Sequence, residues 1–257
     1  FAIPFALKTL CALLGWPEHQ WECLSGWVHG SQQASFNNDP AAGKDLAIRF
    51  SEQVKANLST HRAYPNEVAD TTDVLLCTEV DGVRLEDDQI VSILRNWTAG
   101  HGTLAASLGI VVLHLAQQTE LQDRLRSDLS LIPAAIEEIL RADGPLVANP
   151  RTTTREVTIQ GCSIPKGEHL TWIAANRDAR TFDQPNAINT ERNTSAGLVW
   201  GQGVHLCQGA PLARLEMRVA LEELLSTTKR FEIAGDDVPC RTVYPSNGLA
   251  ALPLRFS

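Results

Sequence analysis

The feature of this 257-residue sequence that most constrains its fold is a run from about residue 86 to residue 118 with helical periodicity and no proline. A helix of this extent is roughly 50 Å long at 1.5 Å per residue, which is long for a globular protein. Its middle, TAGHGTLAASLG, is rich in small residues, several of which lower helix stability. Small residues there let another group approach the helix backbone. The sequence leaves open whether that group is a second helix or a ligand.

The segments around this helix predict a mostly α-helical fold with a small β portion. Other helices are predicted over about 2–15, 17–35, 40–61, 66–77, 119–128, 131–142 and 210–228. The stretches RTTTREVTI, CSIPKGEHLTWIA and GLAALPLRF predict short strands between Gly/Pro turns. No internal repeat or linker interrupts the chain, so a single domain over 1–257 is predicted.

Composition argues against several classes of function. The formal net charge is −8 and no dense Lys/Arg run occurs, so nucleic acid is not an expected partner. The longest apolar stretch is about 13 residues, too short for a membrane span, and the apolar opening predicts a core helix rather than a signal peptide. The six cysteines lie far apart without a CxxC pair. That spacing excludes the common zinc-knuckle and thioredoxin signatures and fits a reducing, cytoplasmic location.

One cysteine stands in a glycine-rich loop just before the last helix, within LVWGQGVHLCQGAPLAR. A helix N-terminus and nearby N–H donors would stabilise Cys207 as a metal-bound thiolate. Glycines at 201, 203 and 209 would let the backbone approach a flat ligand. A protein can hold a heme iron through one cysteine in this way, although a buried free thiol in a tight turn is the commoner fate of a cysteine taken alone. A GxGxxG dinucleotide loop is excluded, since position 206 is leucine.

This loop resembles the heme-thiolate loop of the cytochrome P-450 family, whose pattern is F-G-x-G-x-H-x-C-x-G followed by a helix with L-A-R. The chain matches that pattern at Gly201, Gly203, His205, Cys207, Gly209, Leu212, Ala213 and Arg214. Trp200 stands where the family usually has phenylalanine. The resemblance implies that Cys207 is the axial ligand of heme b iron and that His205 binds a heme propionate.

Other motifs of the family occur in the same order along the chain. EEILR supplies Glu138 and Arg141, which share a helix face at i, i+3 and can form an ion pair. Arg192 in NTERN resembles the second arginine of a buried triad that braces the cysteine loop. Arg151 opens RTTTREVTIQGCSIPKGEHLTWIAANRD, and the resemblance implies that it binds a propionate.

AGHGT in the long helix resembles the oxygen-binding groove of the family. The resemblance implies that Thr103 is the distal alcohol and that Ala99 and Gly100 leave room for the oxygen. The family normally has an acid directly before this threonine, which relays protons, and this chain has Gly102. His101 is an imperfect substitute for that acid, because it points about 200° around the helix from Thr103.

By this resemblance the chain is a heme-thiolate oxidoreductase, and specifically a monooxygenase that inserts one oxygen atom from O2 into a small organic substrate. Electrons from NAD(P)H would arrive through a ferredoxin or a flavin reductase. By position in the family, the substrate contacts are Asn96, Leu146, Val147, Ala148, Asn247 and Leu249. Two alternatives stay open: a peroxygenase, isomerase, cyclase or dehydratase that uses the same heme, and a non-catalytic binding or assembly protein that keeps the fold.

The resemblance covers nearly the whole chain and starts at the fifth large helix of the family fold. We therefore expect a truncated P-450 fold that lacks the N-terminal helices, with one side of the heme pocket open. A self-dimer or a second chain would cover that side, or the N-terminal part lies outside the sequence given.

Overall fold

A computed structural model shows the fold for residues 1–64, 67–173, 177–235, 238–242 and 246–257, without the side chains at 172 and 173. The chain is 56% helical with small two-stranded sheets, which confirms the predicted fold class. It divides into two compact units, Phe1–Ala105 and Ala106–Ser257. The single heme-thiolate domain over 1–257 stays a prediction.

The first unit is built from helices. They are α1 (Ala2–Leu14), α2 (Trp21–Phe36), α3 (Pro40–Ala63), α4 (Thr71–Cys77) and the first part of α5 (Asp87–Gln117). A 3-10 turn, Glu18–Gln20, precedes α2, and the turn predicted near 80 is a small hairpin of β1 (Glu79–Val80) and β2 (Val83–Arg84). The helices bury one apolar cluster, which includes Leu7, Leu10, Leu14, Leu24, Phe50, Val54, Leu58, Ile90 and Leu94.

Helix α4 begins later than the sequence analysis predicted, at Thr71 instead of near 66. The reason is a capping box at Asp70: its carboxylate accepts from the backbone N–H of Asp73, and the Asp73 carboxylate accepts from that of Asp70. This exchange satisfies two N–H groups that the first helical turn leaves without partners. The cap therefore sets the start of the helix.

In the residues that the structure describes, the second unit combines the remainder of α5 with three α-helices and eight short strands. The helices are α6 (Thr119–Ser127), α7 (Ile132–Ala142) and α8 (Ala210–Thr227). The strands are β3 (Ala148–Thr152), β4 (Val157–Ile159), β5 (Cys162–Ile164), β6 (His169–Ile173), β7 (Phe231–Ile233), β8 (Cys240–Arg241), β9 (Leu249–Ala251) and β10 (Leu254–Phe256). All pairings are antiparallel: β3 with β6, β4 with β5, β7 with β10 and β8 with β9. The small β portion thus consists of separate hairpin-like pairs.

Helix α5 is the long helix that the sequence predicted, and it spans 31 residues. The sequence analysis predicted that its apolar stretch is too short for a membrane span, but by length and composition the whole helix could cross a membrane. However, 61% of its most apolar window is buried inside the protein. Burial of this degree is the pattern of a core helix in a globular protein. We therefore interpret α5 as a core helix.

The small residues in the middle of α5 have two different surroundings. A Cβ added to Gly102 would lie 2.9 Å from Cγ1 of Val28 on α2, closer than real side-chain contacts allow. A Cβ added to Gly100 would meet nothing within 4 Å. At Gly102 the approaching group is therefore another helix, whereas Gly100 leaves the helix backbone open.

This contrast predicts opposite effects of two alanine substitutions on stability. Gly102→Ala should lower the free energy of unfolding by about 1–3 kcal/mol, because the new methyl overpacks against Val28. Gly100→Ala, the matched control on the same helix, should raise it by up to about 1 kcal/mol, since alanine favours helix over glycine. Urea unfolding measures both. Adding Val28→Ala to Gly102→Ala should recover part of the loss, and equal effects of the two single substitutions would contradict this packing.

Candidate active site

The loop that carries Cys207 is held in a closed shape by its own backbone. The N–H of Cys207 donates to the carbonyl of Trp200 at 2.7 Å. Gly201 and Gly203 have φ angles of 77° and 61°, in the left-handed region that favours glycine. A Cβ at Gly201 would lie 2.6 Å from a backbone carbonyl oxygen, so a side chain does not fit there. Gly209 has an ordinary helical φ of −78°. A Cβ built on Gly209 would lie 3.9 Å from the sulfur of Cys207.

The Cys207 thiol is exposed, not buried as a structural cysteine in a tight turn would be. Its apolar neighbours in the loop are exposed too: Val204 at 95% and Leu206 at 57%. Directly after the cysteine, the N–H of Ala210 donates to the Cys207 carbonyl at 3.3 Å and α8 begins. The second unit thus presents a thiol among apolar side chains at the start of a helix.

The two residues that are predicted to bind the heme propionates are also exposed in the second unit. His205 ends a 3-10 turn in the cysteine loop, and Arg151 lies on β3, where its Nη1 donates to the carbonyl of Pro150 at 2.8 Å. A guanidinium and an imidazole can both bind carboxylates. Heme is flat and apolar and carries two propionates. Its chemistry is matched by an accessible thiol, by the apolar side chains beside that thiol, and by these two propionate-binding groups. The residues present therefore fit the cofactor.

The predicted triad forms around one fully buried carboxylate. Glu138 accepts from Nε of Arg141 at 2.7 Å and from Nε of Arg192 at 2.9 Å. The backbone N–H of Asn189 adds a third donor at 3.0 Å. Burial alone would raise the pKa of Glu138, but these donors outweigh it and lower that pKa below its usual range. Glu138 is therefore held as a carboxylate in the interior of the second unit.

The two arginines of the triad connect α7 to the segment before the cysteine loop. Arg141 Nη2 donates to the carbonyl of Pro185 at 3.0 Å, and Arg192 Nη2 donates to that of Gln184 at 3.2 Å. Arg141 also lies over the ring of Phe182, with 4.9 Å between its Cζ and the ring centroid. At the end of the stretch that Arg151 opens, Ala175 and Asn176 lie outside the described residues.

A second buried carboxylate, Asp143, holds the turn that contains Asn247. It accepts from Nε2 of His114 at 3.0 Å, from Nη2 of Arg241 at 2.6 Å and from Nδ2 of Asn247 at 2.7 Å. The same Nδ2 donates to the carbonyl of Gly144 at 2.9 Å. The amide nitrogen of Asn247 thus serves the fold, although the sequence predicted this residue as a substrate contact.

The other predicted substrate contacts of the second unit differ in their exposure. Leu146 and Val147 are exposed, at 41% and 40%. Ala148 is 4% exposed. Leu249 lies on β9, with its Cδ1 3.8 Å from a Cβ built on Gly109 of α5. All four residues stay predictions as substrate contacts.

The first unit contains the predicted oxygen groove. Ala99 and Gly100 are exposed on α5, and Thr103 is half-buried one turn further along. Asn96 and Ala99 line a cavity of about 590 Å³. The other residues that line it are Trp27, Ser92, Ile93 and Arg95. Thr103 follows Asn96 by seven residues, two helical turns, so the two share a face of α5.

Sequence reasoning missed two residues that touch the candidate site. Val28 packs on Gly102, where the family has its acid. Glu137 accepts hydrogen bonds from Trp200 and Arg214, which flank the cysteine. Glu137 is the first glutamate of EEILR and was its only signal in the sequence, but an adjacent pair of acids does not tell which side chain turns inward. Nothing in the α2 sequence marked Val28.

Removing the central carboxylate of the triad should be costly. We expect Glu138→Ala to lower the free energy of unfolding by about 3–5 kcal/mol, because Arg141 is left buried without its charge partner. The control is Glu222→Ala on α8, whose pair with Arg218 is half-exposed at 3.6 Å, and it should cost less than about 1 kcal/mol. Urea unfolding measures both, and similar losses would show that the triad is not a buried ion network.

The ionisation of Asp143 should make the free energy of unfolding depend on pH. Burial alone would raise its pKa, but His114, Arg241 and Asn247 lower it far below the usual value. A lowered pKa means that the stabilisation is complete above the unfolded-state pKa of about 4 and is lost as the pH falls below it. Between about pH 5 and pH 3 the wild type should therefore lose about 1 kcal/mol more than Asp143→Asn.

The control for this pH dependence is Asp123→Asn, at an exposed pair with Arg230. Its free energy of unfolding should follow the wild-type pH dependence. Parallel pH curves for the wild type and Asp143→Asn would contradict the lowered pKa of Asp143.

Known proteins with a similar sequence give the same assignment. Residues 20–256 match the model of the cytochrome P-450 family. The chain is 32% identical over 260 residues to a vitamin D(3) 25-hydroxylase of Pseudonocardia autotrophica, covering 99% of this chain and 64% of that protein. It is 34% identical over 246 residues to an erythromycin C-12 hydroxylase of Saccharopolyspora erythraea, covering 92% of this chain and 62% of that protein. The chain therefore spans less than two thirds of the length of these relatives.

Solved structures agree with the sequence relatives. One, from work on cytochrome P-450-like monooxygenases of microbial secondary metabolism, has a TM-score of 0.91 and 30% identity, covering 99% of this chain and 68% of its own. Another is a P-450 in complex with an acyl carrier protein ligated to hexadec-9Z-enoic acid, with a TM-score of 0.89 and 28% identity, covering 100% of this chain and 67% of its own. On the match to the family model over nearly its whole length, this chain belongs to the cytochrome P-450 family.

Proposed function

We propose that this chain is the heme-thiolate part of a monooxygenase that inserts one oxygen atom from O2 into a small organic substrate. The observation that carries the proposal is the exposed Cys207 thiol in a closed, glycine-shaped loop at the start of α8. A buried structural cysteine would not need that loop. The hydroxylases among its relatives support the same reaction class.

Cys207 would be the axial ligand of heme b, and Arg151 and His205 would hold the two propionates. Bound in this way, heme supplies the chemistry that activates O2, and a thiolate ligand favours O–O cleavage. The residues of this chain supply the rest: the loop fixes the sulfur, and the apolar side chains of Val204 and Leu206 limit water at the cofactor. The triad around Glu138 would support the loop from the interior.

Thr103 would be the alcohol of the distal site, where its Oγ1 can hold a proton close to the reacting oxygen. Ala99 and Gly100 would leave the space that the oxygen needs. The cavity of about 590 Å³ beside Asn96 and Ala99 falls in the usual range for small-molecule sites, about 300–1,000 Å³. We propose that the substrate enters there.

The missing acid at position 102 favours a second candidate. Cγ1 of Val28 lies 2.9 Å from a Cβ built on Gly102, so an acid at this position would require Val28 to shift. A peroxygenase would depend less on that proton relay, because hydrogen peroxide already carries the two electrons and two protons that O2 must receive; one of its oxygen atoms goes to the substrate and the other leaves as water. An isomerase, cyclase or dehydratase would dispense with it as well.

Partners and location follow from the same proposal. Electrons from NAD(P)H would arrive through a ferredoxin or a flavin reductase, as the chain itself has no nucleotide-binding loop of the GxGxxG type. The net charge of −8 argues against a nucleic acid partner. The burial of α5 and the scattered free cysteines fit a cytoplasmic location.

Thr103→Ala tests the proposed reaction and separates the two candidates. In the heme-loaded protein we expect product formed per NAD(P)H consumed to fall about 10-fold with a suitable redox partner, since a proton-holding group typically contributes at least that much. Thr98→Ala is the control, because that hydroxyl is buried and donates to the carbonyl of Leu94. Equal product per NAD(P)H in Thr103→Ala and Thr98→Ala would contradict the role of Thr103. A heme-loaded wild type that turns over with peroxide but not with O2 and NAD(P)H would contradict the monooxygenase and favour the peroxygenase.

A further inference from the structure

One surface carboxylate of α7 binds both sides of the cysteine loop. Trp200 Nε1 donates to Oε2 of Glu137 at 3.0 Å, and Arg214 Nε donates to Oε1 at 2.6 Å. Trp200 also reaches Oε1 at 3.2 Å, and Arg214 Nη2 reaches Oε2 at 3.3 Å. Both carboxylate oxygens are therefore shared between the two side chains.

The two donors also contact each other. The Arg214 guanidinium lies over the Trp200 ring, with 4.7 Å between its Cζ and the ring centroid, a cation–π distance. Trp200 stands seven residues before Cys207 and Arg214 stands seven residues after it. We call Trp200, Glu137 and Arg214 the loop clamp, because together they join the entry and the exit of the cysteine loop.

The loop clamp acts on the cysteine through a short path. The carbonyl of Trp200 accepts from the N–H of Cys207 at 2.7 Å. On the other side, Arg214 lies on the first turns of α8, whose Ala210 N–H donates to the Cys207 carbonyl at 3.3 Å. A shift of either clamp residue would thus move a backbone partner of Cys207.

The geometry differs from that of an ordinary surface ion pair. Glu137 is 22% exposed at its side chain and receives four donor contacts, whereas Glu222 on α8 is 36% exposed and meets Arg218 at 3.6 Å. Arg214 and Arg218 are equally exposed, at 46%. The tryptophan is required as well, because the phenylalanine usual in the family has no N–H to donate.

We propose that Glu137 is a positioning residue, which sets the place of the Cys207 thiol by holding Trp200 and Arg214 on one carboxylate of α7. The role of the thiol as a heme ligand rests on the proposed function. The closure of the loop does not rest on the proposed function, because every contact of the loop clamp lies within the second unit. The two glutamates of α7 thus have different roles. Glu138 joins buried groups in the interior of the second unit, and Glu137 holds the cysteine loop.

Amide hydrogen exchange of the heme-free protein tests the clamp without any cofactor. Glu137→Ala and Trp200→Phe should each raise the exchange rate of the Cys207 amide about 10-fold or more, the effect of losing about one hydrogen bond to a charged group. Glu137→Gln keeps an oxygen for the Trp200 N–H and should raise it less. Arg218→Gln is the matched control on α8 and should leave the exchange rate unchanged.

Absorbance of the heme-loaded variants tests the thiol itself. After reduction and exposure to carbon monoxide, Glu137→Ala and Trp200→Phe should show a smaller fraction of the red-shifted thiolate Soret band than the wild type. Arg218→Gln should keep the wild-type fraction, and thermal unfolding of each variant separates a local change from a global loss of stability. If Glu137→Ala does not fold, Trp200→Phe carries the test, because it keeps a ring under Arg214.

The proposal is overturned if Cys207 exchange in Trp200→Phe and in folded Glu137→Ala equals that in Arg218→Gln. It is also overturned if exchange rises while the thiolate fraction stays at the wild-type value. A wild type that takes up no heme contradicts the proposed function instead, and the ranking of the exchange rates still decides whether the clamp exists.

Discussion

The buried carboxylate of Glu138 is the interaction on which the second unit depends. It accepts from Arg141, Arg192 and a backbone N–H, and the two arginines then reach the carbonyls of 184 and 185. An ionised group in the interior is tolerated only when its charge and its lone pairs are matched in this way. The neighbouring residue on the same helix, Glu137, turns outward to Trp200 and Arg214. One turn of α7 thereby organises the cysteine loop and the segment before it.

The sequence predicted those parts of the molecule that obey local rules. The long helix follows from its helical periodicity, α8 begins at Ala210 as predicted, and Glu138 and Arg141 meet because i, i+3 residues share a helix face. The glycines at 201, 203 and 209 predicted a loop whose backbone needs freedom, and the left-handed φ angles of Gly201 and Gly203 are the form that this freedom takes in the structure. Each of these depends on residues close together in the chain.

The remainder depends on contacts between distant segments, which no local pattern encodes. Glu137 lies 63 residues before Trp200, and Val28 meets Gly102 only because α2 packs on α5. The hydrogen bonds of the Asn247 amide nitrogen to Asp143 and Gly144 have the same origin, since they join residues about a hundred positions apart. At Gly102 any side chain would press on Val28, which would have to shift.

The central claim is that Cys207 ligates heme iron in this chain, and the most direct measurement is one absorbance spectrum. The heme-loaded protein is reduced and exposed to carbon monoxide, beside Cys207→Ser prepared in the same way. The account predicts a strongly red-shifted Soret band in the wild type and its absence in Cys207→Ser. A wild type that takes up no hemin, or one whose band coincides with that of Cys207→Ser, would contradict it.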